Sequence, residues 1–248
     1  MKTIVEVKNL SFQYDTVPVL KDAQLTICDG DFMGIVGPNG SAKSTLVKLL
    51  LGLLKPQQGE ISIMGQPIEA FKDWQKIGYI SQKVRNFNVG FPATVEEIIA
   101  ANLYYEMGFF KFLRKKHHEK IDRALEIVNM TDYKKRLIGT LSGGEQQRVF
   151  IARTLISNPK VIFMDEPLVG VDIASQDKFY TLMDKLNREM GITLIMVSHD
   201  LGVITEHTNR VACLGNQEVF THDSKTFNQE EYIKSVYGEK AKLLHHRH

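Results

Sequence analysis

Apolar and polar residues alternate over the first fourteen positions, where Ile4, Val7, Leu10 and Phe12 are interleaved with Glu6, Lys8 and Ser11. That spacing predicts one or two exposed strands. A second strand-like run, residues 19–27, ends at the turn residues Asp29-Gly30-Asp31. Phe32-Met33-Gly34-Ile35-Val36 is short and apolar, which predicts a buried strand, and Gly37-Pro38-Asn39-Gly40-Ser41 follows at once. Residues 43–54, rich in Leu and Lys, read as a helix closed by Lys55-Pro56. Strands return at 60–64 and 77–81.

From about residue 94 to 158 the texture changes. Strand signals are few, and helices are expected over 95–105, 117–130 and 145–157. In the last of these, Val149, Ala152, Leu155 and Ile156 fall on one face. Val161-Ile162-Phe163-Met164 then reads as a buried strand, 175–189 as a helix, and 193–197 and 210–214 as further buried strands. Buried strands alternating with helices predict an α/β fold with a parallel sheet. The helical block, about residues 88–158, looks inserted into it. There is no internal repeat, and the chain ends in the biased tail His245-His246-Arg247-His248.

Composition narrows the class. With 248 residues, 43% hydrophobic and 24% charged, the chain can bury one sizeable core or two coupled lobes, which excludes a disordered or fibrous protein. The most apolar segment, residues 46–54, is interrupted by Lys48 and is far shorter than the ~18 residues that a membrane span needs. The N-terminal residues lack the pattern of a signal peptide. A net charge of +2 implies no nucleic-acid partner. Cys28 and Cys213 lie far apart in apolar runs, so a reduced, intracellular protein is expected.

Strand, then Gly37-Pro38-Asn39-Gly40-Ser41-Ala42-Lys43-Ser44-Thr45, then helix is the setting of a phosphate loop. Backbone N–H groups and the positive end of the helix would cradle phosphate oxygens. Lys43 would neutralise the β- and γ-phosphates, and the Ser44 hydroxyl would reach Mg²⁺. The glycine usual before the lysine is Ala42, which keeps the backbone N–H and serves if its φ is negative. A Gly-rich turn before an ordinary helix is the competing reading of this stretch alone. Four further motifs bear on it. Leu141-Ser142-Gly143-Gly144-Glu145-Gln146-Gln147-Arg148 opens a helix with a second anion-type terminus. Val161 to Pro167 delivers Asp165 and Glu166 at a strand end, the first suited to hold Mg²⁺ and the second to polarise a water. His199 follows the next buried strand and is placed to meet a γ-phosphate. Gln82 ends another strand and offers an amide oxygen to metal or water. Taken singly, Glu166 is equally a turn carboxylate, and His199 a neighbour of a helix cap.

In this order the motifs resemble the nucleotide-binding subunit of ATP-binding cassette (ABC) transporters, over roughly residues 3–225. The resemblance implies a P-loop NTPase (RecA-like) parallel sheet core with an antiparallel β subdomain and an inserted α-helical subdomain. It leaves residues 226–248 as a C-terminal helix and tail. It implies that Tyr14 stacks on adenine, that Gly37 through Thr45 form the phosphate loop, and that Gln82 is the Q-loop residue. Asp165 and Glu166 become the Walker B pair, Asp172 the D-loop residue and His199 the switch histidine. It further implies ATP and Mg²⁺ as cofactors. Two subunits pack head to tail, so that Lys43 of one and Ser142, Gly143, Gly144 and Glu145 of the other enclose one ATP.

The same resemblance implies separate multispanning permease subunits, an extracytoplasmic solute-binding protein engaged indirectly, and a peripheral position on the cytoplasmic face of the membrane. Residues 85–97 would be the permease contact. Phe91 through Ile98 and the variant Ser41-Ala42-Lys43 resemble the ATPases of zinc, manganese and iron-chelate importers, so import of a divalent transition metal is expected. An exporter ATPase, another importer or a soluble non-transport ABC ATPase are the alternatives. The basic run 111–120, with Phe109, Phe110 and Phe112 nearby, suits a membrane surface or a solvated helix end about equally. His245, His246 and His248 have no carboxylate or thiolate partners in the tail, so a solvated terminus is expected there rather than a zinc site.

Overall fold

The computed structural model describes residues 2–81, 92–107, 112–229 and 231–233. In chain order the strands are β1 (Thr3–Tyr14), β2 (Val17–Cys28), β3 (Phe32–Val36), β4 (Gln58–Ile63), β5 (Gln66–Pro67), β6 (Ile77–Ile80), β7 (Val161–Asp165), β8 (Thr193–Val197), β9 (Arg210–Gly215) and β10 (Glu218–Asp223). The α-helices are α1 (Lys43–Leu50), α2 (Val95–Ala100), α3 (Lys115–Ile127), α4 (Gly143–Leu155), α5 (Ile173–Asp184) and α6 (Leu201–His207). The chain divides into two compact units, Met1–Lys72 with Ile195–His248, and Asp73–Leu194.

In the first unit β1 is one continuous strand, paired antiparallel with β2 on one side and with β4 on the other, and β5 closes the sheet beyond β4. Alternation has its usual cause. Val5, Val7, Leu10 and Phe12 of β1 and Leu20, Ala23, Leu25 and Ile27 of β2 are buried, while the residues between them mostly face water. β3 is buried at all five positions and pairs in parallel with β9, which pairs antiparallel with β10. The last part of β8 lies beside β3, where Ser198 N–H donates to Ile35 O at 3.1 Å. Buried Asp31, between β2 and β3, accepts from Cys28 N–H at 2.7 Å and Arg210 Nη1 at 3.4 Å, which ties that turn to β9. Both cysteines are free thiols, and burial pushes the Cys213 thiol up to about 12.

In the second unit β6 and β7 pair in parallel, Ile77 opposite Val161 through Ile80 opposite Met164. β8 begins beside them, with Thr193 N–H donating to Lys160 O at 2.9 Å. α4 is central: it packs on α2, α3 and β6, and Val149, Ala152, Leu155 and Ile156 are all buried. Thr94 opens α2 with a reciprocal cap, its hydroxyl accepting from Glu97 N–H while Glu97 Oε2 accepts from Thr94 N–H at 2.7 Å. Several expected helices are shorter than the pattern suggested. The first ends at Leu50 rather than residue 54, and α2 tightens at Ala101–Glu106 into a 3₁₀ segment. α5 continues as a π-helical turn over Lys185–Glu189, wider than regular helix.

Glu96 is the electrostatic hinge of the helices. Its carboxylate is buried and is met by His118 Nδ1 at 2.7 Å, by Lys135 Nζ and by Lys134 Nζ at 3.5 Å, so one acid ties α2 to α3 and to the turn before the next 3₁₀ segment. Burial alone would raise its pKa, but the Lys135 and His118 hydrogen bonds and the lysine charges outweigh burial and hold it below the ordinary glutamate value. A depressed carboxylate stabilises the fold above its unfolded pKa, and that contribution is lost as pH falls through the folded pKa. Glu96→Gln should therefore cost about 1–2 kcal/mol at neutral pH. In denaturant unfolding the gap between wild type and variant should close under acid conditions. A gap that persists in acid would refute the electrostatic account.

Candidate functional site

β3 delivers residues 37–45 at its buried end. A side chain at Gly37 would place Cβ 2.6 Å from the Leu214 carbonyl of β9, so only glycine fits where the chain leaves the sheet. Lys43, buried in the first turn of α1, donates from Nζ to the carbonyls of Gly37 at 2.7 Å and Pro38 at 2.9 Å, holding its cation over the loop. The Ser41 hydroxyl is buried without a hydrogen-bond partner. Tyr14, at the end of β1, is 44% exposed; its ring stands edge-on to Phe12 and its hydroxyl lies 3.4 Å from Thr45 Oγ1. His199 is exposed just after β8, and Asp200 next to it caps α6 by accepting from Val203 N–H at 3.1 Å. Tyr14, the loop residues Gly37 through Thr45, and His199 thus belong to the first unit.

One expectation is corrected. Ala42 has φ 70° and ψ 17°, in the left-handed region, not the negative φ that alanine prefers. It stands immediately before α1, and its carbonyl accepts from Leu46 N–H at 2.8 Å, the first bond of the helix. The helix thus starts correctly from a residue that is sterically strained there.

The second unit holds Ser142 through Glu145, Asp165, Glu166 and Asp172. Ser142 caps α4 reciprocally: its N–H and hydroxyl each donate to Glu145 Oε2 at 2.8 Å, and Glu145 N–H donates back to Ser142 Oγ at 3.4 Å. Partial burial tends to raise the Glu145 pKa. Hydrogen bonds from Ser142 and Tyr133 and the charge of Arg148 prevail and bring it below the ordinary value. Gly143 is exposed and has open space where a side chain would be, whereas a side chain at Gly144 would press on Ser175 of α5 at 3.1 Å. Asp165 is the last, half-buried residue of β7, and Glu166 follows with φ 46°. Asp172 caps α5 by accepting from Ser175 N–H at 3.0 Å, and the Ser175 hydrogen bonds hold its carboxyl below the usual aspartate range. Gln147, which the sequence placed in the motif without a role, is buried and donates from Nε2 to Pro167 O at 3.0 Å. That contact spans twenty residues, and no periodicity encodes it. Gln82, residues 85–91, Phe109, Phe110 and the terminal histidines lie outside the described residues.

The loop suits an anionic ligand on two observations. Ser41 offers a buried hydroxyl lacking a partner, and Lys43 is fixed with its cation at the loop carbonyls. Among the described residues no three His, Cys, Asp or Glu side chains are grouped to hold a metal ion by themselves. The strain at Ala42 yields a direct test. Ala42→Gly should stabilise the chain by about 1 kcal/mol, raising Tm by roughly 2–4 °C. Thermal unfolding without nucleotide measures it, and an unchanged or lower Tm would mean that the left-handed geometry carries no strain.

Among the described residues no helix is long and apolar enough to cross a membrane. The family model described as "ABC transporter" matches residues 20–169. The zinc uptake system ATP-binding protein ZurA of Listeria monocytogenes is 47% identical over 94% of this chain and 90% of its own. The manganese transport system ATP-binding protein MntB of Bacillus subtilis is 36% identical over 97% and 94%. A dimeric structure of a bacterial ABC transporter cassette, 29% identical, superposes with a TM-score of 0.73 over 90% of this chain and all of that one. The P-loop NTPase fold and these matches converge, and the chain belongs to the ABC transporter family as an ATP-hydrolysing subunit.

Proposed function

We propose that this chain powers import of a divalent transition metal, zinc before manganese, by dimerising on ATP beneath a separate permease. The observation that carries the cargo is the 47% identity to a zinc uptake ATP-binding protein along nearly the full length of both chains. The manganese relative, at 36%, keeps manganese as the second reading. Multispanning permease subunits and, indirectly, an extracytoplasmic solute-binding protein complete the assembly. The chain then sits peripherally on the cytoplasmic face, without a nucleic-acid partner, and residues 85–97 form the permease contact.

The roles follow from the chemistry of each group. Tyr14 offers an exposed aromatic face to adenine. Gly37, Asn39, Gly40 and Ala42 present backbone N–H groups and Ser41 its hydroxyl to phosphate oxygens, while Pro38 shapes the turn and its carbonyl accepts from Ser41 N–H at 3.1 Å. Lys43 turns its cation from the loop carbonyls to the β- and γ-phosphates, and Thr45 supports the first helical turn. Ser44, Gln82 and Asp165 are the groups that would hold Mg²⁺, which when bound offsets phosphate charge in the transition state. Glu166 accepts a proton from the attacking water, and His199 meets the γ-phosphate. Ser142, Gly143, Gly144, Glu145 and Asp172 complete the partner subunit's site, with the open N–H groups at the start of α4 as its anion contact. ATP thus favours the closed dimer, and hydrolysis withdraws that preference.

The decisive experiment pairs a variant with the assembly. Glu166→Gln should lower phosphate release about a hundredfold or more while ATP binding persists. With ATP and Mg²⁺ it should elute as a dimer by light scattering. A monomer under those conditions would overturn the dimer reading. Co-purified with its permease and binding protein, the wild type should hydrolyse ATP faster with zinc than without, and stimulation by neither zinc nor manganese would remove the metal assignment.

A further inference from the structure

Glu166 occupies the left-handed region at φ 46°, although it is neither glycine nor asparagine and precedes a proline. Such a conformation persists only where its surroundings over-determine it. On one side β7 fixes Asp165 in the sheet. On the other, Pro167 is buried, its ring locks φ, and its carbonyl accepts the 3.0 Å hydrogen bond from Gln147 Nε2. Gln147 lies on the second turn of α4, the helix that Ser142 opens, and is itself buried. The neighbouring Gln146 grips the other flank of that helix start, donating from Nε2 to Ile138 O at 3.2 Å and Leu141 O at 3.1 Å. The two glutamines thus divide the work: one secures the approach to Ser142 and the other secures the turn after Glu166.

We propose that Gln147 is a positioning residue for hydrolysis: its amide holds the strained turn that carries Glu166, so that α4 and this carboxylate move as one body. The proposal rests on Glu166 acting on the attacking water. Its consequence is that a displacement of α4, the helix whose first turn would face the partner subunit's nucleotide, is passed through this hydrogen bond to the chain's own Glu166. Losing the amide removes a donor from this buried carbonyl and loosens the turn. The carboxylate then samples orientations away from the reacting water, which lowers kcat without touching groups that bind ATP.

The test uses the full chain. Gln147→Met and Gln147→Leu both lack the donor. Each should lower kcat roughly tenfold, with KM for ATP within about twofold of wild type. Combined with Glu166→Gln, Gln147→Met should lower the residual rate less than about twofold further, because both changes act through one group. Retained kcat in the single variants, a loss confined to KM, or full additivity in the double variant would each overturn the proposal. Failure of both variants to fold would also overturn it, by making the amide a structural tie alone. If Glu166→Gln itself hydrolyses at the wild-type rate, the catalytic carboxylate assignment fails and takes the positioning role with it. That outcome is distinct from a silent Gln147 beside an inactive Glu166→Gln.

Discussion

Burial of short apolar strands is the constraint on which the rest depends. All five residues of β3 and all five of β8 are buried, as are the first four of β7. Within such a strand the backbone is satisfied by its neighbours and a charged side chain would be desolvated without compensation. The first place where polar chemistry is tolerated is where the strand ends. In this chain β3 ends at the Gly37 loop, β7 at Asp165 and Glu166, and β8 at Ser198 and His199. Chemistry at the carboxyl ends of strands follows from the same physics that makes the strands stable.

Two residues at those ends carry backbone strain, and each has a mechanical support nearby. Ala42 sits at φ 70° before α1, whose Leu46, Val47, Leu49 and Leu50 are buried. A left-handed L-residue costs about 1–2 kcal/mol. Full burial of even one of those leucines contributes as much, so the helix keeps its start in place. Glu166 has no helix of its own beneath it. Next to it stands buried Pro167, whose carbonyl accepts from the Gln147 amide, so the turn after that carboxylate is tied to α4.

The parts of this architecture legible in the sequence are those written in runs. Phe32–Val36 and Thr193–Val197 are continuous apolar stretches, and the structure reproduces both to the residue. α4 was legible from its apolar face. What escaped notice was encoded in single residues or in polar segments. β10 is an edge strand of mixed pattern, Glu-Val-Phe-Thr-His-Asp, paired among the described residues with β9 alone. α6 is seven residues long and owes its start to the Asp200 cap. The motif order is legible, since order is what the pattern encodes. The sign of φ at Ala42 is not, because a single backbone torsion leaves no periodic trace and the residue there gives the opposite preference. The Gln147 to Pro167 bond needs two segments folded before it exists.

The start of α4 shows how a helix terminus can be stable and still available. A helix leaves its first N–H groups unused. Here Glu145 N–H is taken by Ser142 Oγ, and the Ser142 N–H and hydroxyl by Glu145 Oε2. The cap therefore stabilises the terminus without using the N–H groups of Gly143 and Gly144, which the helix dipole makes attractive to an anion. Glu145, held below the ordinary glutamate range, stays charged and opposes the same anion. The Ser142 proton must also leave Glu145 before it can serve a phosphate, exchanging one charge-assisted hydrogen bond for another. Attraction and opposition at this terminus are of similar size, since each is worth at most about 1–2 kcal/mol near a surface. A contact so balanced closes only when several others close with it. On the proposed reading it opens once the γ-phosphate is gone, as a clamp that must release its ligand in every cycle requires.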